Sequence, residues 1–379
     1  MTTQTKTTWR EVKLGDVAEI LSGGTPSSSK PEYWTGGDIP WATLPDLRSK
    51  YLFDTQRKIT KLGLKNSSAK LLPVNSVIFS SRATIGEISI AKIETTTNQG
   101  SKNFICNPDK LWYEFLYYLL KNKVEMINGL ATGATYKEIN KTVFSSIEIS
   151  LPNISTQKSI ADVLSTYDNL IENNTKRIKI LEEMAQAIYR EWFISSANGG
   201  KLPEGWKILQ VEELIKRVSP GKLYDNKSAL RKGNVPVLDQ GRSGIIGYHN
   251  DEPGVGASTE NPVIVFANHT CYQRLILFPF SAIQNVLPFY PSEGNYRNIF
   301  WLHYASKDLI EFNDYKGHWP EFMQKNVIVP SAEIAEEFGE IIKPLVVLNY
   351  QIELMNSNLR QSRDLLLLKL VSGEIKVKI

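Results

Sequence analysis

One frame is written twice in this chain, and that duplication limits the folds open to it more than any single motif does. Aligning Pro152, in Ile149-Ser150-Leu151-Pro152, with Pro330, in Val327-Ile328-Val329-Pro330, gives an offset of 330 − 152 = 178 residues. Downstream of the first proline, Ile160, Leu164, Tyr167, Ile171, Asn174, Ile178, Leu181, Ala185, Ile188 and Trp192 recur by alternating steps of four and three. The same offset carries them, without a gap, onto Phe338, Ile342, Leu345, Asn349, Ile352, Asn356, Leu359, Arg363, Leu366 and Leu370. A four-three spacing keeps one stripe of a helix against a partner helix, the pattern of a supercoiled pair. The repeat therefore predicts an α+β fold with a pseudo-twofold internal repeat: two α/β lobes separated by a pair of long antiparallel coiled-coil helices. The expected bounds are a first lobe over 1–152, a first helix over 153–197, a second lobe over 198–330, and a second helix with a C-terminal tail over 331–379. Each helix of about 35 residues would span roughly 50 Å. Polar seam positions (Asn174, Asn349, Asn356, Arg363) either fix register from inside the seam or face solvent or a partner helix; both readings stand. Pro344 lacks an N–H and is expected to kink the second helix or delay its start.

Length supports this division, since 379 residues exceed one hydrophobic core. The 42% hydrophobic and 22% charged content is that of a soluble globular chain, and no apolar run approaches the roughly 20 residues that span a bilayer. The N-terminal residues lack a signal-peptide core, and Cys106 and Cys271 fall in different lobes, so a reducing cytoplasm is expected. Net charge is +4, unevenly spread. Residues 1–150 carry 19 basic and 14 acidic side chains, or +5, and 201–330 carry 14 and 13, or +1, while both helical spans come to −1. A polyanion would favour the lobes, chiefly the first.

Within each lobe a tryptophan, Trp9 or Trp206, precedes a short amphipathic stretch, followed by β-branched runs such as Val77-Ile78-Phe79 and Val263-Ile264-Val265-Phe266 between Gly, Pro and Asn punctuation. Buried helices are expected over 111–123 and 299–308, and Asn198-Gly199-Gly200 reads as a stop and linker. Enzymatic signatures are missing: no P-loop, no Gly-x-Gly-x-x-Gly, and no acidic-x-Lys element after Pro45-Asp46 or Pro108-Asp109. Leu287-Pro288-Phe289-Tyr290 lacks the flanking residues of an adenine methyltransferase loop and reads as a strand end, and His249, His269, His303 and His318 lack zinc spacing. The loops instead hold residues suited to nucleic acid. In the first lobe these are Arg48, Lys50, Arg57, Lys58, Lys61, Lys65, Lys70, Ser80, Ser81, Arg82 and Thr84; in the second, Lys227, Arg231, Lys232, Gln240, Arg242, Ser243, Asn268, His269, Tyr272 and Arg274. Lysine suits phosphate, whereas Arg, Asn and Gln can pair two atoms of a base edge at once.

The order of several short motifs carries a resemblance. Gly23-Gly24-Thr25-Pro26, Tyr33-Trp34, Gly37-Asp38-Ile39-Pro40-Trp41, Pro45-Asp46-Leu47, Thr97-Asn98-Gln99-Gly100, the Gly133-Ala134-Thr135-Tyr136 turn, and Leu151-Pro152 leading to Gln157-Lys158-Ser159-Ile160 together resemble the specificity subunits of type I restriction-modification systems. The second lobe looks like another subtype, with Asn234-Val235-Pro236-Val237-Leu238-Asp239-Gln240-Gly241-Arg242 and a Gly317-His318-Trp319-Pro320 turn. The resemblance implies a noncatalytic subunit of a restriction-modification complex whose lobes are target recognition domains. Each would read half of a bipartite, asymmetric site on double-stranded DNA, with Thr135, Tyr136, His318 and Trp319 joining the candidate contacts. It further implies no cofactor in this chain: two methyltransferase subunits docked on the helices would carry S-adenosylmethionine, and motor-nuclease subunits would use ATP and Mg. The half-sites would lie about one duplex turn apart, on the order of 10 bp centre to centre. Two other readings are a coiled-coil scaffold whose lobes bind protein or glycan, and a stand-alone DNA methyltransferase or nuclease.

Overall fold

A two-stranded ribbon ties each lobe to its long helix, and both ribbons obey the repeat. In the computed structural model, which describes residues 9–133, 137–195, 202–241, 244–292, 298–312, 314 and 316–377, strand β1 (Arg10–Lys13) pairs antiparallel with the strand that precedes the first long helix, Glu148–Leu151. The corresponding pair in the second lobe is Lys207–Gln210 with Asn326–Val329. The two closing strands differ by 326 − 148 = 178 residues, as do the starts of the long helices, 332 − 154 = 178. The chain forms two compact units: one reaches Ile171 and resumes at Asn358, the other is Glu172–Ser357, so each takes in part of both long helices.

In the first unit, β2 (Ala18–Ser22), β3 (Ile39–Ala42), β4 (Tyr51–Leu52), β5 (Arg57–Ile59), β6 (Val77–Ser80), β7 (Ile88–Ala91), β8 (Thr96–Thr97) and β9 (Ser101–Cys106) form a five-stranded sheet, β2-β9-β6-β7-β4, and a three-stranded sheet, β5-β3-β8. The central strand β6 is apolar except at its end because both of its faces are covered. Short helix α1 is Lys61–Lys65, α2 is Tyr113–Gly129 and α3 is Lys141–Ser146; β10 is the closing strand Glu148–Leu151. Phe115, Leu116 and Leu119 of α2 and Phe144 of α3 lie in the core with Phe79 and Phe104, and the Phe144 ring sits edge-on to both, at 5.2 and 5.3 Å. The pattern 111–123 thus marks α2, shifted toward its C-terminal side.

The second unit repeats the plan. β11 is Lys207–Gln210, α5 is Val211–Leu214, β12 is Ile215–Arg217, β13 is Leu223–Tyr224, β14 is Val235–Leu238, β15 is Ile245–His249, β16 is Val263–Ala267, β17 is Gln273–Ile276, β18 is Ser281–Ile283, β19 is Val286–Pro291 and β20 is Asn326–Val329. Sheet order β12-β19-β16-β17 matches β2-β9-β6-β7, and the parallel pair β14·β18 matches β3·β8. Leu287-Pro288-Phe289-Tyr290 lies inside β19, with Phe289 fully buried. Helices α6 (Ile299–Ser306) and α7 (Trp319–Met323) occupy the places of α2 and α3, and Trp301, Phe322 and Phe338 sit in one core.

The long helices, α4 (Ile154–Tyr189) and α8 (Ala332–Val371), begin where the repeat places them, although α4 ends earlier than 197, passing into a π-helical turn at Arg190–Ile194. Every seam residue is buried or half-buried, from Ile160 and Leu164 to Leu366 and Leu370. In the first unit Ile160, Ala161 and Leu164 share a core with Leu367, Leu370 and Val371; in the second, Ala185 shares one with Phe338 and Ile342. The pairing is antiparallel. Three of the four polar seam positions turn inward to partners: Asn174 Nδ2 donates to Asn356 Oδ1 at 3.0 Å, and Arg363 Nη1 meets Asp168 Oδ1 at 2.7 Å, with the Tyr118 hydroxyl donating to the same carboxylate. Pro344 does not delay α8, which starts twelve residues before it; both Pro344 and Glu340, the residue whose carbonyl loses its donor, are exposed, so water can serve that carbonyl. The extra apolar residues of the helices divide: Ile180 and Leu365 are 53% and 63% exposed, while Tyr189 and Leu367 belong to cores. Residues 198–200, the expected linker, lie outside the described residues.

Candidate nucleic-acid interface

In the first unit the ends of β6, β8 and β9 gather four loops into one rim. Gly23 and Gly24 start it: a Cβ on Gly23 would fall 1.9 Å from the Asn98 carbonyl oxygen, and one on Gly24 2.3 Å from the Ala69 nitrogen, so only glycine lets the backbone pass between these loops. Thr25 hydrogen-bonds to Gln99 across the gap. Next to it the Ser81–Gly86 loop is stapled down. The Ser80 hydroxyl accepts from Gly86 N at 3.1 Å and Glu87 N at 2.8 Å and donates to the Thr84 carbonyl at 2.7 Å. Ser81 N donates to the Gly100 carbonyl at 2.8 Å, and Ile139 N donates to the Ser81 carbonyl at 3.0 Å. Ala83 takes a left-handed φ of 62°, a turn that leaves Arg82 and Thr84 exposed at the tip.

Not all candidates reach this rim or the solvent. Lys50 does not: its ammonium turns inward, 2.6 Å from Ser165 Oγ and 3.1 Å from the Tyr118 hydroxyl, over the rings of Tyr51 and Tyr118, and burial holds its pKa below the usual lysine value. Ser80 and Ser81 are buried and spend their hydroxyls on the loop, so they shape it rather than face a ligand. Arg48, Lys58, Lys61, Lys65 and Lys70 are exposed, as is Arg57, whose guanidinium lies 4.0 Å from the Trp34 ring centre. Thr135 and Tyr136 lie outside the described residues.

The second unit builds the same clasp from other residues. Asn268 N donates to the Asn285 carbonyl at 2.9 Å, and His318 N donates to the Asn268 carbonyl at 2.9 Å, repeating the bonds made by Ser81. The loop again turns through a left-handed residue, Cys271, with φ 56°. Gln240 reaches over from the β14–β15 turn, its Oε1 accepting from His269 N at 2.9 Å and its carbonyl from Thr270 Oγ1 at 2.5 Å. Arg274 braces that turn: Nη2 donates to the Asp239 carbonyl at 3.1 Å, and a Cβ on Gly244 would meet Nη1 at 1.8 Å. Three candidates are corrected to structural roles. Asn268 caps α7 by accepting from Trp319 N at 2.8 Å, His318 is 1% exposed beneath the loop, and the Trp319 ring packs on Phe266, Phe289 and Phe322. Lys227, Arg231 and Lys232 are exposed, whereas His269, Tyr272, Gln240 and Arg274 are half-buried; Arg242 and Ser243 lie outside the described residues. His249 stacks on Tyr224 at 4.2 Å and hydrogen-bonds Ser281, and His303 is buried; among the described residues no group of three or more His, Cys, Asp or Glu could hold a metal ion.

Sequence reasoning missed Lys102 and Glu138. Lys102 sits on strand β9, between β2 and β6, with its side chain 4% exposed, and its ammonium lies 3.2 Å from Glu138 Oε1 and 3.2 Å from Ser81 Oγ. Their separation of 36 residues leaves no local pattern to read.

The rims are ridges of donors and acceptors, and comparison with known proteins says what such a chain is similar to. A family model described as the type I restriction modification DNA specificity domain matches residues 6–183, the first lobe and most of α4. The type I restriction enzyme MjaIX specificity subunit of Methanocaldococcus jannaschii is 28% identical over 412 residues, covering 98% of this chain and 94% of that protein. The crystal structure of a type I restriction-modification system S subunit from M. genitalium shares the fold over 100% of this chain and 99% of its own, with TM-score 0.61 and 18% identity. A chain from a structure described as the basis of complex assembly and conformational transition of the type I R-M system matches with TM-score 0.50 and 14% identity, over 97% of this chain and 98% of that one.

Proposed function

Because the chain belongs to the specificity subunits of type I restriction-modification systems, the noncatalytic part of those enzymes, we propose that its lobes are two target recognition domains, each reading one half of a bipartite, asymmetric DNA site. One observation carries this reading: the two lobes erect the same clasp at the same place and put unlike residues on it. Ser81-Arg82-Ala83-Thr84 is held by Gly100 and Ile139, and Asn268-His269-Thr270-Cys271 by Asn285 and His318. Common scaffolding with different tips is what two readers of different half-sites need, since phosphate contacts position a protein while base-edge contacts specify sequence. In this reading the exposed lysines Lys58, Lys61, Lys65, Lys70, Lys227 and Lys232 hold phosphates, and Arg82 and the Gln240–His269 pair face base edges. The exposed apolar residues of the helices, among them Leu170, Ile180, Met184, Leu354, Met355 and Leu365, dock two methyltransferase subunits. S-adenosylmethionine would belong to those partners, and ATP and Mg to motor-nuclease subunits.

Methylome sequencing of cells that express the partner subunits, with and without this chain, tests the proposal. Methylation of an interrupted, two-part motif is expected only when the chain is present. Methylation independent of the chain, or of one uninterrupted motif, would overturn it.

A further inference from the structure

We infer that Glu138 is a positioning and specificity-determining residue of the first lobe, which orients Arg82 for base reading and is itself held by the buried ammonium of Lys102. The inference rests on the proposed reading of the rim as a DNA interface. Lysine is almost never buried without a partner, because an ammonium removed from water loses its hydration. The Lys102 side chain is nonetheless only 4% exposed, and it spends its charge on Glu138 Oε1 and the Ser81 hydroxyl, each at 3.2 Å. A loop that needed only anchoring would be served by the neutral hydrogen bonds that already staple it through Ser80, Ser81 and Gly100. The charge has another use.

Glu138 is fixed on both sides of its backbone as well, bridging Arg82 on one side and Thr132 on the other. Its second carboxylate oxygen, Oε2, lies 3.9 Å from Arg82 Nε, and the two side chains are 42% and 39% exposed. One oxygen is therefore tied inward to Lys102, and the other lies within ion-pair range of the guanidinium at the rim without a hydrogen bond to it. Reading guanine requires two guanidinium N–H groups presented together to O6 and N7, so the plane of Arg82 must be held before DNA arrives. Without the carboxylate, Arg82 loses this constraint on its guanidinium, whose nearest anions on DNA are phosphates, and these are the same for every sequence. Glu138 also places a negative charge beside the polyanion, which weakens binding to all DNA. Its removal should then lower discrimination while leaving non-specific affinity equal or greater, a pair of opposite changes that simple loss of packing does not produce.

The test uses the full chain assembled with its modification partners, the methylated motif of the parent, and competition binding against DNA altered in one half-site or lacking the site. Glu138→Gln should lower discrimination about tenfold, in one half-site only, with affinity for site-free DNA unchanged or raised. Glu138→Asp should restore part of it. Arg82→Ala should relax the same base positions, and the double variant should match Arg82→Ala alone, because a residue acting through another adds nothing once that other is gone. Unchanged discrimination in Glu138→Gln, equal loss of affinity for all DNA, or additive effects in the double variant would each overturn the inference. Thermal melts identify a variant that fails to fold, in which case Glu138→Asp against Arg82→Ala decides by whether they relax the same positions. A parent that shows no two-part motif would instead refute the reading of the rim itself.

Discussion

The Asn174–Asn356 bond gives the sharpest account of why the helix pair has polar residues in its seam. Both side chains are nearly sealed, at 6% and 2% exposure, and the hydrogen bond from the Asn174 amide to the Asn356 carbonyl oxygen is 3.0 Å long. Replacing one asparagine with leucine leaves the other amide buried without its partner, at a cost of about 1–3 kcal/mol. The new leucine contributes about 1.5–3 kcal/mol by burial, so each single variant should come out near the parent. The double variant Asn174→Leu/Asn356→Leu leaves no orphan and keeps both burial gains. It should therefore exceed the sum of the single variants by at least about 2 kcal/mol, twice the smallest orphan cost. Because two units need not unfold together, the assay is hydrogen exchange at amides of residues 172–189 and 332–357, which reports the opening of this stretch alone. Additivity within about 0.5 kcal/mol would refute the claim that the two amides satisfy each other in a dry seam.

Other positions are equally accessible to experiment. Lys50→Met should destabilise the first unit yet leave the slope of log K against log salt for DNA unchanged, whereas Lys65→Ala should reduce that slope by about 0.9 if the lysine meets one phosphate; a reduced slope in Lys50→Met would contradict its inward placement. Burial pushes the His303 imidazole down to about 3, so the folded second unit favours its neutral form. The stability this supplies is complete above the unfolded value near 6.5 and is lost as pH falls toward 3, on the order of 5 kcal/mol in all. His303→Gln should flatten the acid destabilisation of the second unit in pH-dependent hydrogen exchange, and an unaltered profile would refute the assignment. Ile180→Glu and Leu365→Glu, on residues 53% and 63% exposed, should change stability by less than about 0.5 kcal/mol yet abolish co-purification of methyltransferase subunits, and retained co-purification would remove this surface from the docking account.

Much of the frame could be read directly from residues. The heptad stripe was legible because a buried helix seam forces the same residue class every third or fourth position, and the offset of 178 located α8 and β20 from α4 and β10. Strands β6 and β16 were legible as β-branched runs for the same reason: each is covered on both faces. Charge direction was not legible. Lys50 and Lys65 both look like loop lysines, and only the tertiary fold brings Tyr118 and Ser165, 68 and 115 residues from Lys50, to meet the first. Asn268, His318 and Trp319 misled for the opposite reason, since residues that suit DNA edges also suit helix caps and core packing. Lys102 and Glu138 carried no signal at all, because burial of a charge is a property of the partner it finds, here 36 residues along the chain.

Exchange of the first lobe addresses the central claim most directly. Residues 1–152 replaced by the corresponding lobe of another family member, with methylomes of parent and chimera sequenced side by side, should give two motifs that differ in one half and agree in the other half and in the gap. Change in both halves, or in neither, would contradict the assignment of one half-site to each lobe.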